Sequence, residues 1–240
     1  MKQICTRRPL RAVATAAVAL ACAAGCSGGP TDRTGPEPKR TKSSAAPVPS
    51  EIRLAGALAT STDVRGYRLE DNDQPAVRPE ADREACRPLA DMTGSGVERT
   101  PAAKAWASRS YGSTTERGLA VTTSLFSYEG DGAAVTVAAV RKALKECADG
   151  FSTSGNNGGA TVEYVDVRTD EAPAGGDEAV AWSMTGKAQG QKVPLRMTAV
   201  RQGNVLALFL ALHLTSPEKA ELPRDLYDAQ LKRLKQRLGS

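Results

Sequence analysis

Aromatic side chains make up only 4% of this 240-residue sequence, and histidine occurs once. The first shortage disfavours the stacked-ring platforms on which glycoside hydrolases hold sugars, and the second leaves one imidazole for any acid–base chemistry. No run of 18 apolar residues exists to serve as a permanent membrane-spanning helix, so the mature chain is not polytopic. There is no C-x-x-C and no cysteine beside histidine at ligand spacing, which leaves metal binding and thioredoxin-like chemistry without support. A G-x-S-x-G elbow, a glycine fingerprint after an early strand and a 20–50-residue repeat are all missing too. Neither an α/β-hydrolase, a nucleotide-binding doubly wound fold nor a solenoid is indicated.

What the sequence does contain is clearest at its start. Lys2, Arg7, Arg8 and Arg11 form a basic segment, and Ala12 to Gly25 follows as a continuous small and apolar stretch. That is the pattern of an export signal over residues 1–25, with cleavage after Gly25. Ala23-Ala24-Gly25-Cys26 resembles the bacterial lipobox, with Ala23 where leucine is commonest. On that resemblance Cys26 becomes the new N-terminus and carries a diacylglyceryl group. Each buried methylene contributes about 0.8 kcal/mol, so two or three acyl chains such as palmitate anchor firmly where one is marginal. Thr6-Arg7-Arg8-Pro9-Leu10 also faintly resembles a twin-arginine signal; the route of export is left open.

Removing the signal takes away four basic groups and no acidic ones, leaving 28 against 27 and a net charge of +1 in place of +5. No basic stripe with interleaved aromatics remains, so nucleic acid is not an expected partner. Residues 26–49 then form a tether rich in Gly, Pro, Ser and Thr with almost no large apolar side chain. Extended at ~3.1 Å per residue, it reaches on the order of 70 Å. A single domain of residues 50–240 is long enough to bury its own core.

Cys5 and Cys22 depart with the signal and Cys26 is committed to lipid, so Cys86 and Cys147 remain in an oxidising compartment. A Cys86–Cys147 disulfide is the economical reading, two free thiols the alternative. Val137, Val140, Leu144 and Cys147 recur at helical spacing and place Cys147 on a buried helix face.

The domain reads as a helix from Glu51, a strand over 64–70, a short helix at Cys86, strands over 102–111 and 118–128, and the helix of Cys147. Strands over 160–168, 179–186, 193–201 and 204–214 follow, separated by glycine-rich turns. A helical region opens at Ser216-Pro217-Glu218, with Tyr227, Leu231, Leu234 and Leu238 on one face. Val205 to Leu214 is apolar almost throughout and belongs at the centre, covered on both faces. The expected class is α+β: an antiparallel, strongly curved sheet of five to seven strands with helices packed on it.

Candidate chemistry is sparse. His213 falls on the face of Val205, Ala207, Phe209 and Ala211, where a buried, hydrogen-bonded histidine is expected rather than a base. Ser216-Pro217-Glu218-Lys219 matches S-x-x-K without S-D-N or K-T-G, and reads as a helix cap. Asp71-Asn72-Asp73 begins like a calcium loop, but Ala76 stands where glycine is needed. The pairs Asp170-Glu171 and Asp177-Glu178 sit in a loop. Lys232, Arg233, Lys235 and Arg237 make the last helix basic, as its C-terminal dipole favours.

Several short segments resemble actinobacterial cell-surface lipoproteins whose domains look like the extracellular sensor domain of mycobacterial receptor serine/threonine kinases. They are Leu54-Ala55-Gly56-Ala57-Leu58 running into Asp63-Val64-Arg65-Gly66-Tyr67, Cys86, Leu144-Lys145-Glu146-Cys147, and Val200-Arg201-Gln202-Gly203-Asn204-Val205. The resemblance implies an α+β domain with a ligand cleft and no catalytic residues. The kinase ectodomains carry two disulfides, whereas this chain offers one pair. The resulting expectation is a non-enzymatic surface lipoprotein on the outer face of the cytoplasmic membrane. It needs no cofactor or metal and binds a small ligand or envelope protein at residues the sequence does not identify. The alternatives are an extracytoplasmic hydrolase acting on envelope material and a purely structural partner.

Overall fold

The computed structural model describes residues 47–72, 75–155 and 159–239. The export signal and Cys26 lie outside the described residues, as do Asp73 and most of the tether. The elements are α1 (Glu51–Ala57), β1 (Tyr67–Asp71), β2 (Glu80–Ala81), a 3-10 turn (Glu84–Cys86) running into α2 (Arg87–Thr93), β3 (Ala105–Ser113), β4 (Leu119–Ser127) and α3 (Gly132–Glu146). They continue with β5 (Phe151–Ser154), β6 (Val162–Asp170), β7 (Glu178–Ala188), β8 (Gln191–Gln202), β9 (Val205–His213) and α4 (Arg224–Leu238).

All strands join one antiparallel sheet in the order β1-β3-β4-β9-β8-β7-β6-β5-β2. Strand β9 lies in its interior, fourth of the nine, because neither of its faces can be left in water. Leu206 and Leu208 turn to one side and pack with Trp182, Met197, Val137 and Val140 beneath α3. Val205, Ala207, Phe209 and Ala211 turn to the other and pack with Leu54, Tyr111, Leu226 and Tyr227 beneath α1 and α4. The expected α+β class holds. The sheet has nine strands among the described residues, not five to seven, because β2 and β5 span two and four residues and are too short to show a period.

Two expected helix boundaries move. Cys147 sits one residue past α3 as its C-terminal cap, still fully buried. The expected helix at Ser216 is only a 3-10 turn over Pro217–Lys219, and α4 begins at Arg224. Pro223 fixes its own φ and lacks an N–H, which stops any helix crossing residues 220–223. Ser216 forms no side-chain cap.

Cys86 and Cys147 are joined, closing α2 against the end of α3 across 61 residues of sequence. On the opposite face, α1 has only seven residues, too few to be stable alone. Distant side chains hold its C-terminal end. Gln230 accepts from the Ala59 N–H (2.9 Å) and donates to the Ala57 carbonyl (2.8 Å), while Arg233 donates to the Gly56 carbonyl (3.1 Å) and to Asp63 (2.9 Å). The Tyr111 hydroxyl and Arg109 donate to the Ala59 carbonyl.

Two stability measurements check this account. The Cys86→Ala, Cys147→Ala variant is expected to lose roughly 4 kcal/mol in the chain-entropy treatment; a denaturant midpoint within about 1 kcal/mol of the parent contradicts it. Gln230→Leu keeps the bulk but orphans a buried N–H and a buried carbonyl. Urea unfolding is expected to show a loss of about 2 kcal/mol or more, and an unchanged midpoint contradicts the bridging role.

Candidate ligand-binding groove

Strand β7 alternates Val180, Trp182 and Met184, which enter the core under α3, with Ala181, Ser183 and Thr185 on the other face. The register pairs these three with Thr198, Arg196 and Pro194 of β8. Six small or polar side chains therefore pave a strip of sheet beside the area that α4 covers. Because i, i+2 and i+4 share a face, the strip runs about 13 Å along the strands.

Two adjoining clefts lie over this strip. The first, of about 460 Å³, has Ala181 and Thr198 on its floor and is walled by the loop 171–174, the segment Glu221–Leu222 and Tyr227 at the start of α4. The second, of about 300 Å³, has Ser183, Thr185 and Pro194 on its floor and Pro217, Glu218 and Ala220 above. Arg196 lines both. The wall loop is fixed close to the sheet: Tyr227 donates to the Pro173 carbonyl (3.2 Å) and the Asp177 N–H to the Arg201 carbonyl (2.8 Å). Gly176 has φ +65°, and a Cβ there would lie 2.6 Å from the Arg201 carbonyl oxygen, so the approach requires glycine.

The charges are organised around Asp170, the last residue of β6. Its carboxylate accepts from Arg196 (3.0 Å) and Ser183 (3.2 Å), with Arg168 3.8 Å away. Two guanidinium groups thus share one carboxylate. Arg224 is engaged by Asp228 (2.9 Å). Glu171 and Glu221 line the first cleft and Glu218 the second, each exposed and without an ion-pair partner among the described residues. The Asp170 pair was visible as an acidic motif. Arg196, Glu221 and the floor were not identified from sequence, although the small-residue alternation Ala181, Ser183, Thr185 is legible there.

Two other clefts offer one kind of contact only. That at Arg68, Glu70, Ser110 and Arg117 has no large apolar wall, and that at Val162, Tyr164, Val193 and Leu195 has no charged group. A further cleft, at Glu51, Leu58, Asp71 and Trp106, has apolar walls with carboxylates alone, whereas the groove combines apolar walls with charges of both signs.

The remaining sequence candidates are spent on structure. His213 is buried and lines none of these clefts. Its Nδ1 accepts from the Ser216 N–H (3.0 Å), which assigns the proton to Nε2, 3.3 Å from Glu116. With both nitrogens engaged, it has no hydroxyl nucleophile to activate. Hydrogen bonds from His213 and Lys219 hold the Glu116 carboxyl below its usual range. Ser216 gives its N–H to His213 and none of the features of an S-x-x-K site. Asp177 and Glu178 pair with Arg201, and Glu178 also with Arg141. Asp71 pairs with Arg109. Among the described residues no three His, Cys, Asp or Glu groups converge on a metal-sized site. On α4, Arg233 turns inward, whereas Lys232, Lys235 and Arg237 are exposed.

No family model and no curated protein matches the chain. Its structure is similar to that of the extracellular domain of PknH from Mycobacterium tuberculosis, with a TM-score of 0.52 at 11% identity, covering 81% of this chain and 99% of that one. An uncharacterised Mycobacterium smegmatis protein, the Rv0999 ortholog, aligns with a TM-score of 0.34 at 12% identity over 75% of this chain and 90% of that one. The chain therefore has the α+β fold of the PknH extracellular domain.

Proposed function

We propose that this protein is a non-enzymatic surface lipoprotein, held by lipid on Cys26 to the outer face of the cytoplasmic membrane, whose sensor-like domain binds a small ligand or an envelope protein in the groove over β7 and β8. The observation that carries this reading is the groove itself, a charged and apolar cleft in a domain with the fold of a kinase extracellular domain. The place of Pro49, where the described chain enters the sheet, supports it. Ser127 donates to the Pro49 carbonyl (2.8 Å), so the chain enters at the end of β4 where Ser127 pairs with Val205. Arg196 pairs with Ala211, six residues further along β9, or about 20 Å. The groove therefore lies toward the end of the sheet away from Pro49. No helix among the described residues is long and apolar enough to cross a membrane. The engaged imidazole of His213 counts against the hydrolase alternative.

Metabolic labelling with palmitate tests the attachment. The native protein is expected to carry label and to sediment with membranes, and Cys26→Ala to lose the label and enter the medium. An unlabelled native protein, or a Cys26→Ala variant that stays in the membrane fraction, overturns the tether.

A further inference from the structure

We infer that the groove takes a small zwitterion, amino-acid or short-peptide in kind, with its carboxylate on Arg196 and Arg168 and its ammonium group toward Glu171 and Glu221. The inference rests on the reading of the groove as a binding site and adds the chemistry of the occupant.

The charge arrangement leads to it. At the floor, Arg196 and Arg168 face the single carboxylate of Asp170, so these three groups together carry one net positive charge where the two clefts meet, with Asp166 and Glu218 also lining the second cleft. Asp170 fixes the Arg196 guanidinium through one nitrogen, and the remaining N–H donors of a planar, always-charged group suit a carboxylate. On the wall, Glu171 and Glu221 line the same cleft from two different loops and neutralise nothing among the described residues. Arg224, the other cation of that cleft, is already held by Asp228 and stacks over Tyr227. A purely anionic ligand would meet the two glutamates, and a purely cationic one the surplus guanidinium. One that carries both charges satisfies both.

The space between the poles favours a peptide-like body. Ala181 and Thr198 keep the floor low, and Pro173, Leu222 and the Tyr227 ring supply apolar wall. The volume of about 460 Å³ falls within the range of small-molecule sites and exceeds what a bare ion needs. The strip of about 13 Å matches three to four residues of extended chain.

Calorimetry on the lipoprotein purified in detergent tests this with four probes of one body: trialanine, N-acetyl-trialanine, trialanine amide and N-acetyl-trialanine amide. Trialanine is expected to bind best, each blocked terminus weakening it roughly tenfold or more, as for a lost charge-assisted hydrogen bond. Arg196→Met should abolish the advantage of the free carboxylate while keeping that of the free amine. Glu171→Gln with Glu221→Gln, both exposed and unpaired, should do the reverse. Equal affinities for all four probes that vanish in a groove-filling Thr198→Trp variant overturn the zwitterion and leave the groove standing as a site. Trialanine binding that survives Thr198→Trp unchanged overturns both, and absence of any trialanine binding overturns the zwitterion.

Discussion

The architecture depends on β9. Val205 to Ala211 is apolar on both faces, and nine residues of strand cannot present one of those faces to water without giving up about 25 cal/mol for each Å² left exposed. Helices must therefore cover the sheet on both sides at that strand. The chain supplies α3, locked to α2 through Cys86 and Cys147, for one side, and α1 with α4 for the other. A helix is only about 10 Å wide whereas neighbouring strands are spaced ~4.8 Å, so two helices on a face cannot cover nine strands. Part of the sheet is left open, and over β7 and β8 the sequence meets that opening with Ala181, Ser183, Thr185, Thr198 and Arg196 instead of large apolar groups.

Polar groups buried by this arrangement fix loops and helix ends. Gln230 and Arg233 turn a seven-residue helix into a fixed wall. On α2, Asp91 is almost wholly buried and accepts the Thr100 N–H (2.9 Å), while Arg99 lies over the Phe126 ring at 3.6 Å. Burial pushes the Asp91 carboxyl up and the Arg99 guanidinium down, each moderated by the other's charge. Asp63 runs against the effect of burial: the hydroxyl and N–H of Thr60, together with Arg233, hold its carboxyl below the ordinary value.

Much of the fold was legible because it rests on periodicity. The central place of β9, the alternation in β4 and β8, the α3 helix and the burial of His213 all follow from which side chains share a face. What escaped was set by contacts between segments distant in sequence. Neither β2 nor β5 exceeds four residues, and the gap between the turn at Pro217 and α4 is set by one proline. The groove was the least legible part. Its charges come from β6, β8 and two loops, and the meaning of Ala181 or Thr198 appears only when register pairs them side by side on the floor of one cleft. The acidic pairs illustrate this: Asp170 and Glu171 are adjacent in sequence, yet one closes an ion pair at the floor and the other stands free on the wall.

A binding groove must be occupied in the cell. Benzoylphenylalanine placed at Leu222, on the wall, and separately at Ser124, on a part of β4 facing the opposite side of the sheet, allows the intact lipoprotein to be photo-crosslinked on living cells and weighed. A discrete small-molecule mass added at 222 and absent at 124 is the predicted result. No adduct at 222, or the same adducts at both positions, would contradict it.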